Sequence, residues 1–165
     1  MPLSTIDQTG ITSPVGPLVL TGVIDGSNAS AGTVGEYVSS TVAGGSAVSL
    51  TTATIANITN ISLTAGDWDV SGSIGLILGS TTSINYVAGG STTTSAGNPS
   101  LGAVFQFGYP TGGTVIGVSG VGPIYTVPTA RFSLSSTTTI YLTVQAQFST
   151  STCTAYGVIR ARRVR

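Results

Sequence analysis

The chain has 165 residues, one cysteine, no histidine and no lysine; only 6% of it is charged and the net charge is zero, against about 25% charged residues in an ordinary soluble domain. That inventory excludes Ser-His-Asp and Cys-His nucleophilic sites, histidine metal sites, Schiff-base lysines, the P-loop lysine, CxxC redox pairs and an intrachain disulfide. The length suits one domain, able to bury roughly 70% of its unfolded surface without a metal or a disulfide, and so weakly charged a surface repels copies of itself little.

Residues 1–35 read as an arm or attachment segment, with a frayed terminus or an ordinary edge strand as the alternative. Ser13 to Pro17 is a breaker cluster, Asp25 to Asn28 a turn, and Leu18 to Ile24 between them a short strand. No secretory signal is expected, because Met1 to Ser4 lacks a basic and an apolar region. The glycosylation patterns at Asn28, Asn57 and Asn60 are then chance in a Ser/Thr-rich chain. Mean hydropathy is +0.43, but no run nears the ~18 apolar residues of a membrane helix.

From residue 36 a single β domain is expected, running to 165. Tyr37 to Val42, Ala47 to Leu50 and Ile55 to Leu63 read as its first strands. The stretch Leu63 to Leu78 organises the rest. A tight turn at Ala65-Gly66-Asp67 leads into Trp68, Val70, Ile74, Leu76 and Leu78 on even positions, with Asp69, Ser71, Ser73 and Gly75 on odd ones. Period two sets these on opposite faces of a strand, and Trp68 is the natural core anchor. Ile84 to Val87 follows, ended by Gly89-Gly90. Residues 89–100 form a small, polar surface loop. Leu101 to Phe107 is a strand, Gly108 to Gly113 a turn, and Thr114 to Val118 another short strand. Tyr125 to Pro128 crosses into Ala130 to Leu134. Ile140, Leu142, Val144, Ala146 and Phe148 alternate with Tyr141, Thr143, Gln145, Gln147 and Ser149, and Cys153 to Val164 is the last strand. Trp68, Val70, Ile74, Leu76, Leu142, Val144 and Phe148 are the expected core anchors. Nine to eleven short strands, turns every 8–14 residues or so and no helical period point to an antiparallel sandwich or barrel.

The segments GEYVSSTVAGGSAVSLTTATIANITNISLTAGDWDVSGSIGL and ARFSLSSTTTIYLTVQAQFSTSTCTAYGVIRARRV resemble small virion structural and fibre-tip proteins of tailed bacteriophages. The layout also looks like the C1q/TNF-type jelly roll: a Gly-aromatic turn into a central strand, a late T-x-Y-L strand, and a final strand with Tyr-Gly. The resemblance spans about residues 35–80 and 129–165. It implies an all-β, antiparallel jelly-roll β-sandwich assembled as a homotrimer and displayed on a capsid or tail, made in the bacterial host cytoplasm. The short N-terminal portion departs from fibre proteins with coiled-coil or collagen-like shafts. The implied role is a non-enzymatic capsid decoration or head-fibre protein, anchored to the major capsid protein or another virion protein through residues 1–35. The alternative is the carbohydrate-binding tip of a tail fibre, with Tyr109 and Tyr125 stacking on a host glycan.

Charge is sorted along the chain. Asp7, Asp25, Glu36, Asp67 and Asp69 precede residue 70, and Arg131, Arg160, Arg162, Arg163 and Arg165 lie beyond 130. The two sets attract, within one chain or between copies. Asp67 and Asp69 share a strand face as the only close carboxylate pair. A glycosidase pair or calcium ligands would use such a pair, but a turn residue beside a solvated or inter-subunit one is the favoured reading. The arginine cluster reads first as a clamp on carboxylates or carbonyls of a neighbouring subunit, then as a solvated tail. Phosphate contact comes last, since zero net charge and missing stacking partners argue against nucleic acid. Tyr141, Thr143, Gln145 and Gln147 form an uncharged strand face that suits either a homo-oligomer interface, with Arg160, Arg162 and Arg163, or plain solvation. No catalytic residue, cofactor, metal or membrane contact is expected.

Overall fold

The computed structural model describes residues 23–109, 115–116 and 122–165. Ten strands form among them: β1 (Tyr37–Val42), β2 (Val48–Ser49), β3 (Ile55–Leu63), β4 (Gly66–Leu78), β5 (Ser83–Thr92), β6 (Val104–Gly108), β7 (Val115–Ile116), β8 (Ile124–Leu134), β9 (Thr138–Ser149) and β10 (Cys153–Arg163). Every pairing is antiparallel. The first sheet has the order β1-β10-β4-β8, with β2 extending the β1 edge along β10. The second has the order β3-β9-β5-β6, with β7 also pairing β5. Apart from the β5-β6 hairpin, each step between the eight long strands crosses from one sheet to the other. That path is the jelly roll, and the expected antiparallel sandwich is the architecture found.

Alternation builds the core between the sheets. On β4 the even residues Trp68, Val70, Ile74, Leu76 and Leu78 point inward, and on β9 Ile140, Leu142, Val144 and Ala146 meet them. Trp68 is fully buried, and its indole Nε1 donates to the Thr64 carbonyl at 2.9 Å, which satisfies its one polar atom. Phe148 packs half-buried at the margin. Cys153 also lies inside, and burial pushes its thiol up to about 11.

Three local expectations differ from what forms. Gly89-Gly90 does not end β5, which continues to Thr92. A Cβ at Gly90 would meet the Ala103 carbonyl, and one at Gly89 would crowd Ile74 and Phe105. Glycine here admits close neighbours within a strand and makes no turn. Leu101–Ala103 is a short 3-10 turn, so β6 starts at Val104. The two pieces expected around Pro128 are one strand, β8, with a register shift opposite Val70/Gly72. Pro128 is tolerated because β8 is an edge strand. The strand expected over Leu18 to Ile24 lies outside the described residues up to 22, and Val23 and Ile24 are exposed and unpaired in any sheet. Most of the Gly108 to Gly113 turn also lies outside them, and the Thr114 to Val118 strand is described only at β7.

Candidate interaction surfaces

Among the described residues the charges on strands all belong to the first sheet, where three of them, Asp67, Arg131 and Arg163, tie the two ends of the described chain together. On β10 the odd positions face inward: Cys153, Ala155, Gly157, Ile159 and Ala161 are buried, and Arg163 continues the series at 5% exposure. Its Nε donates to Glu36 Oε2 at 3.0 Å and its Nη1 to the Ala65 carbonyl at 2.7 Å. Nη2 donates to Thr64 Oγ1. The guanidinium carbon lies 4.4 Å from the Trp68 ring centroid, within cation–π range. Gly66 makes room for it, having a φ of +139° and no Cβ to collide with the guanidinium. The sequence alone groups Arg163 with Arg160 and Arg162 at a subunit interface. The structure corrects this: Arg163 has the opposite strand parity and each of its three guanidinium nitrogens donates within the chain. Parity along β10 was the signal that could have separated it.

Asp67 forms the second half of this clasp. Arg131 grips it with Nε to Oδ1 at 3.2 Å and Nη2 to Oδ2 at 2.8 Å, and Arg165 Nε also donates to Oδ2. Hydrogen bonds from Arg131 first, and then Arg165, hold the Asp67 carboxyl well below the usual carboxylate range. Backbone bonds run alongside, from Val164 N to the Asp67 carbonyl at 2.9 Å and from Gly35 N to the Arg163 carbonyl at 2.9 Å. The early acids and late arginines therefore attract within one chain. With both its oxygens held by arginine, Asp67 is a structural anion and no partner for Asp69 in acid–base work or metal binding.

Among the described residues the second sheet contains no Asp, Glu, Lys or Arg in any strand. Its outer face presents Asn60, Ser62, Tyr86, Gln106, Tyr141 and Gln147 among other neutral residues. Part of this face is covered by the chain's own residues 93–100. Asn57 Oδ1 accepts from Ala96 N at 2.8 Å, Asn57 Nδ2 donates to Ser95 Oγ at 2.8 Å, and Thr143 Oγ1 donates to the Gly97 carbonyl at 3.2 Å. Thr143 is thereby fully buried, which removes it from any exposed interface. Gln145 donates to the Ala53 carbonyl at 2.6 Å, while Tyr141 is half-buried and Gln147 exposed. Leu101, 95% exposed, stands at the rim of a depression of about 200 Å³ between this loop and the sheet.

Tyr109 and Tyr125 are brought together, their hydroxyls 3.0 Å apart. Tyr125 faces inward, 7% exposed, and stacks on Phe105 with ring centroids 4.9 Å apart and planes within 8°. Burial first, and then the Tyr109 hydrogen bond, raise the Tyr125 phenol above its ordinary value. Tyr125 is a core residue and cannot offer its ring face to a sugar. Phe107, 50% exposed, is the aromatic that sequence reasoning passed over at this corner.

No family model matches the chain, and no curated protein matches it. Among solved structures it is similar to the infectious bursal disease virus VP2 subviral particle, at 7% identity and a TM-score of 0.45, over 90% of this chain and 37% of that one. The structure of infectious bursal disease virus Gx strain matches at 12% identity and a TM-score of 0.40, over the same shares. The chain thus spans little more than a third of the length of either.

Proposed function

We propose that this chain is a non-enzymatic structural protein of a virus particle, assembled as a homotrimer through the outer face of the second sheet. In the finer reading it decorates or cements the capsid surface of a tailed bacteriophage, or forms part of a head fibre, with residues 1–35 attaching it to the major capsid protein or another virion protein. The observation that carries the proposal is the charge-free second sheet. A sheet without one ionised strand residue among those described, displaying tyrosine, glutamine, asparagine and hydroxyls, has the composition of a buried homo-oligomer patch, where charge is depleted and tyrosine enriched. Jelly rolls serve capsids, lectins and cupins alike, so the fold alone does not choose among these roles.

The tail-fibre reading keeps less support. It relied on Tyr109 and Tyr125 as a stacking platform, and Tyr125 is packed into the core. The test is the native mass of the full chain and of a form lacking residues 1–22. This truncation leaves Asn28 and Glu36 in place with their partners on Tyr37 and Arg163. A mass three times that of the 16.4 kDa chain, with the same threefold ratio in the shorter truncated chain, supports a trimer built by the β domain with a separate attachment arm. A monomer in both forms sinks the trimer.

A further inference from the structure

The outer face of the first sheet carries a row that crosses all four long strands. Tyr37 on β1, Arg162 on β10, Asp69 on β4 and Arg131 on β8 are successive register partners. Ser39, Arg160 and Ser71 form a neighbouring row. Arg160 and Arg162 are two residues apart on one strand, so both point outward, and both are exposed. Arg131, Arg163 and Arg165 are engaged by carboxylates, whereas Arg160 and Arg162 make no ion pair among the described residues. Between them the surface sinks into a depression of about 250 Å³ lined by Tyr37, Asp69, Ser71, Thr129, Arg160 and Arg162. Tyr37 and Arg162 also line a larger depression of about 690 Å³ against residues 26–35, which adjoins the first at these two side chains.

We infer that the depression between Arg160 and Arg162 binds a carboxylated oligosaccharide. The exposed guanidiniums take carboxylates in a forked, charge-assisted geometry. Asp69, Ser71 and Thr129 supply the acceptors and hydroxyls that sugar hydroxyls pair with. Tyr37, 40% exposed, offers a ring to the C–H side of a sugar. An acidic peptide fits less well. A peptide added to a sheet needs a free edge, and at Tyr37 the edge is closed: Asn28 Nδ2 donates to the Tyr37 carbonyl at 2.7 Å, and Asn28 Oδ1 accepts from Tyr37 N at 2.9 Å. Peptide carboxylates would also face Asp69, to which a saccharide brings hydroxyl donors. The inference does not rest on the particle role or on the trimer.

The test is calorimetric titration of the full chain with two acidic probes, trigalacturonate and α2,8-linked trisialic acid, and with the methyl ester of trigalacturonate. The expected result is saturable binding of at least one acidic trisaccharide. If it is trigalacturonate, binding weakens by about tenfold or more on esterification; for either probe it weakens similarly in the Arg160→Gln, Arg162→Gln double variant. Tyr37→Phe keeps the affinity and Tyr37→Ala lowers it. The ester comparison needs no substitution, and matched melting curves show that the double variant is folded. The inference is overturned if neither acidic trisaccharide saturates at about 10 mM, a concentration that reports even a weak site. It is also overturned if hexaglutamate binds as tightly as the saccharide through the same two arginines.

Discussion

The two sheets share one core and differ outside it. Among the described residues the first holds every charged strand residue, and half of these charges are turned to holding the chain: Arg163 pairs with Glu36 just before β1, and Asp67 with Arg131 and with Arg165 just after β10. The second holds none and is left with a neutral outer face, partly covered by its own loop. Charge in this protein is mainly an internal fastening, placed where the two ends of the described chain meet. Its absence from the other face leaves a surface that gains from being covered, because burying it desolvates no ion.

Four substitutions bear on that contrast. The largest effect is expected from Arg163→Ala. It leaves the Glu36 carboxylate buried without its cation and strips the Trp68 ring of its guanidinium, at a cost of about 3–5 kcal/mol in urea unfolding. A loss below about 1 kcal/mol, the scale of an exposed pair, would mean that the first sheet's charges are not fastenings. Leu142→Ala comes next, at about 2–5 kcal/mol. Leu142 belongs to the second sheet but faces Gly72 and Gly157 of the first, so its loss measures the shared core and not the charge contrast.

Asp67→Asn gives a smaller effect that depends on acidity. A carboxyl held low in the folded state contributes stability that is complete above its unfolded value of 3.8 and is lost as the pH falls below it. The wild type should therefore melt higher than Asp67→Asn at neutral pH, and the two curves should converge as the pH falls toward about 2. Parallel curves would remove Asp67 from the clasp. The smallest effect on the stability of the protomer itself, within about 0.5 kcal/mol, is expected of Gln147→Lys, an exposed change on the neutral face. Its consequence should appear in assembly.

Much of the sandwich was legible in the sequence because period-two alternation is a local signal. β3, β4, β9 and β10 announce themselves through their apolar residues. β5 was cut short because Gly89-Gly90 looks like a turn until Ala103 and Ile74 are seen pressing on it. The inward course of Arg163 was legible in the parity of β10 but was obscured by its arginine neighbours. The Tyr37-Arg162-Asp69-Arg131 row was not legible. It joins four strands distant in the chain, and only the register of the folded sheet sets them side by side. Tyr125 was misplaced for a related reason. Its place beside a glycine-rich stretch does not say which way the ring faces until Phe105, on the other sheet, stacks on it.

The measurement that tests the central claim most directly is the native mass of two charge variants beside the wild type. One is Gln147→Lys on the neutral face. The other is Thr126→Lys, an exposed outward residue of the first sheet. The account predicts a trimer for the wild type and for Thr126→Lys, and a folded monomer for Gln147→Lys that melts below the wild type because the association is lost. A monomeric wild type, or a Gln147→Lys that stays trimeric while Thr126→Lys falls apart, would contradict it.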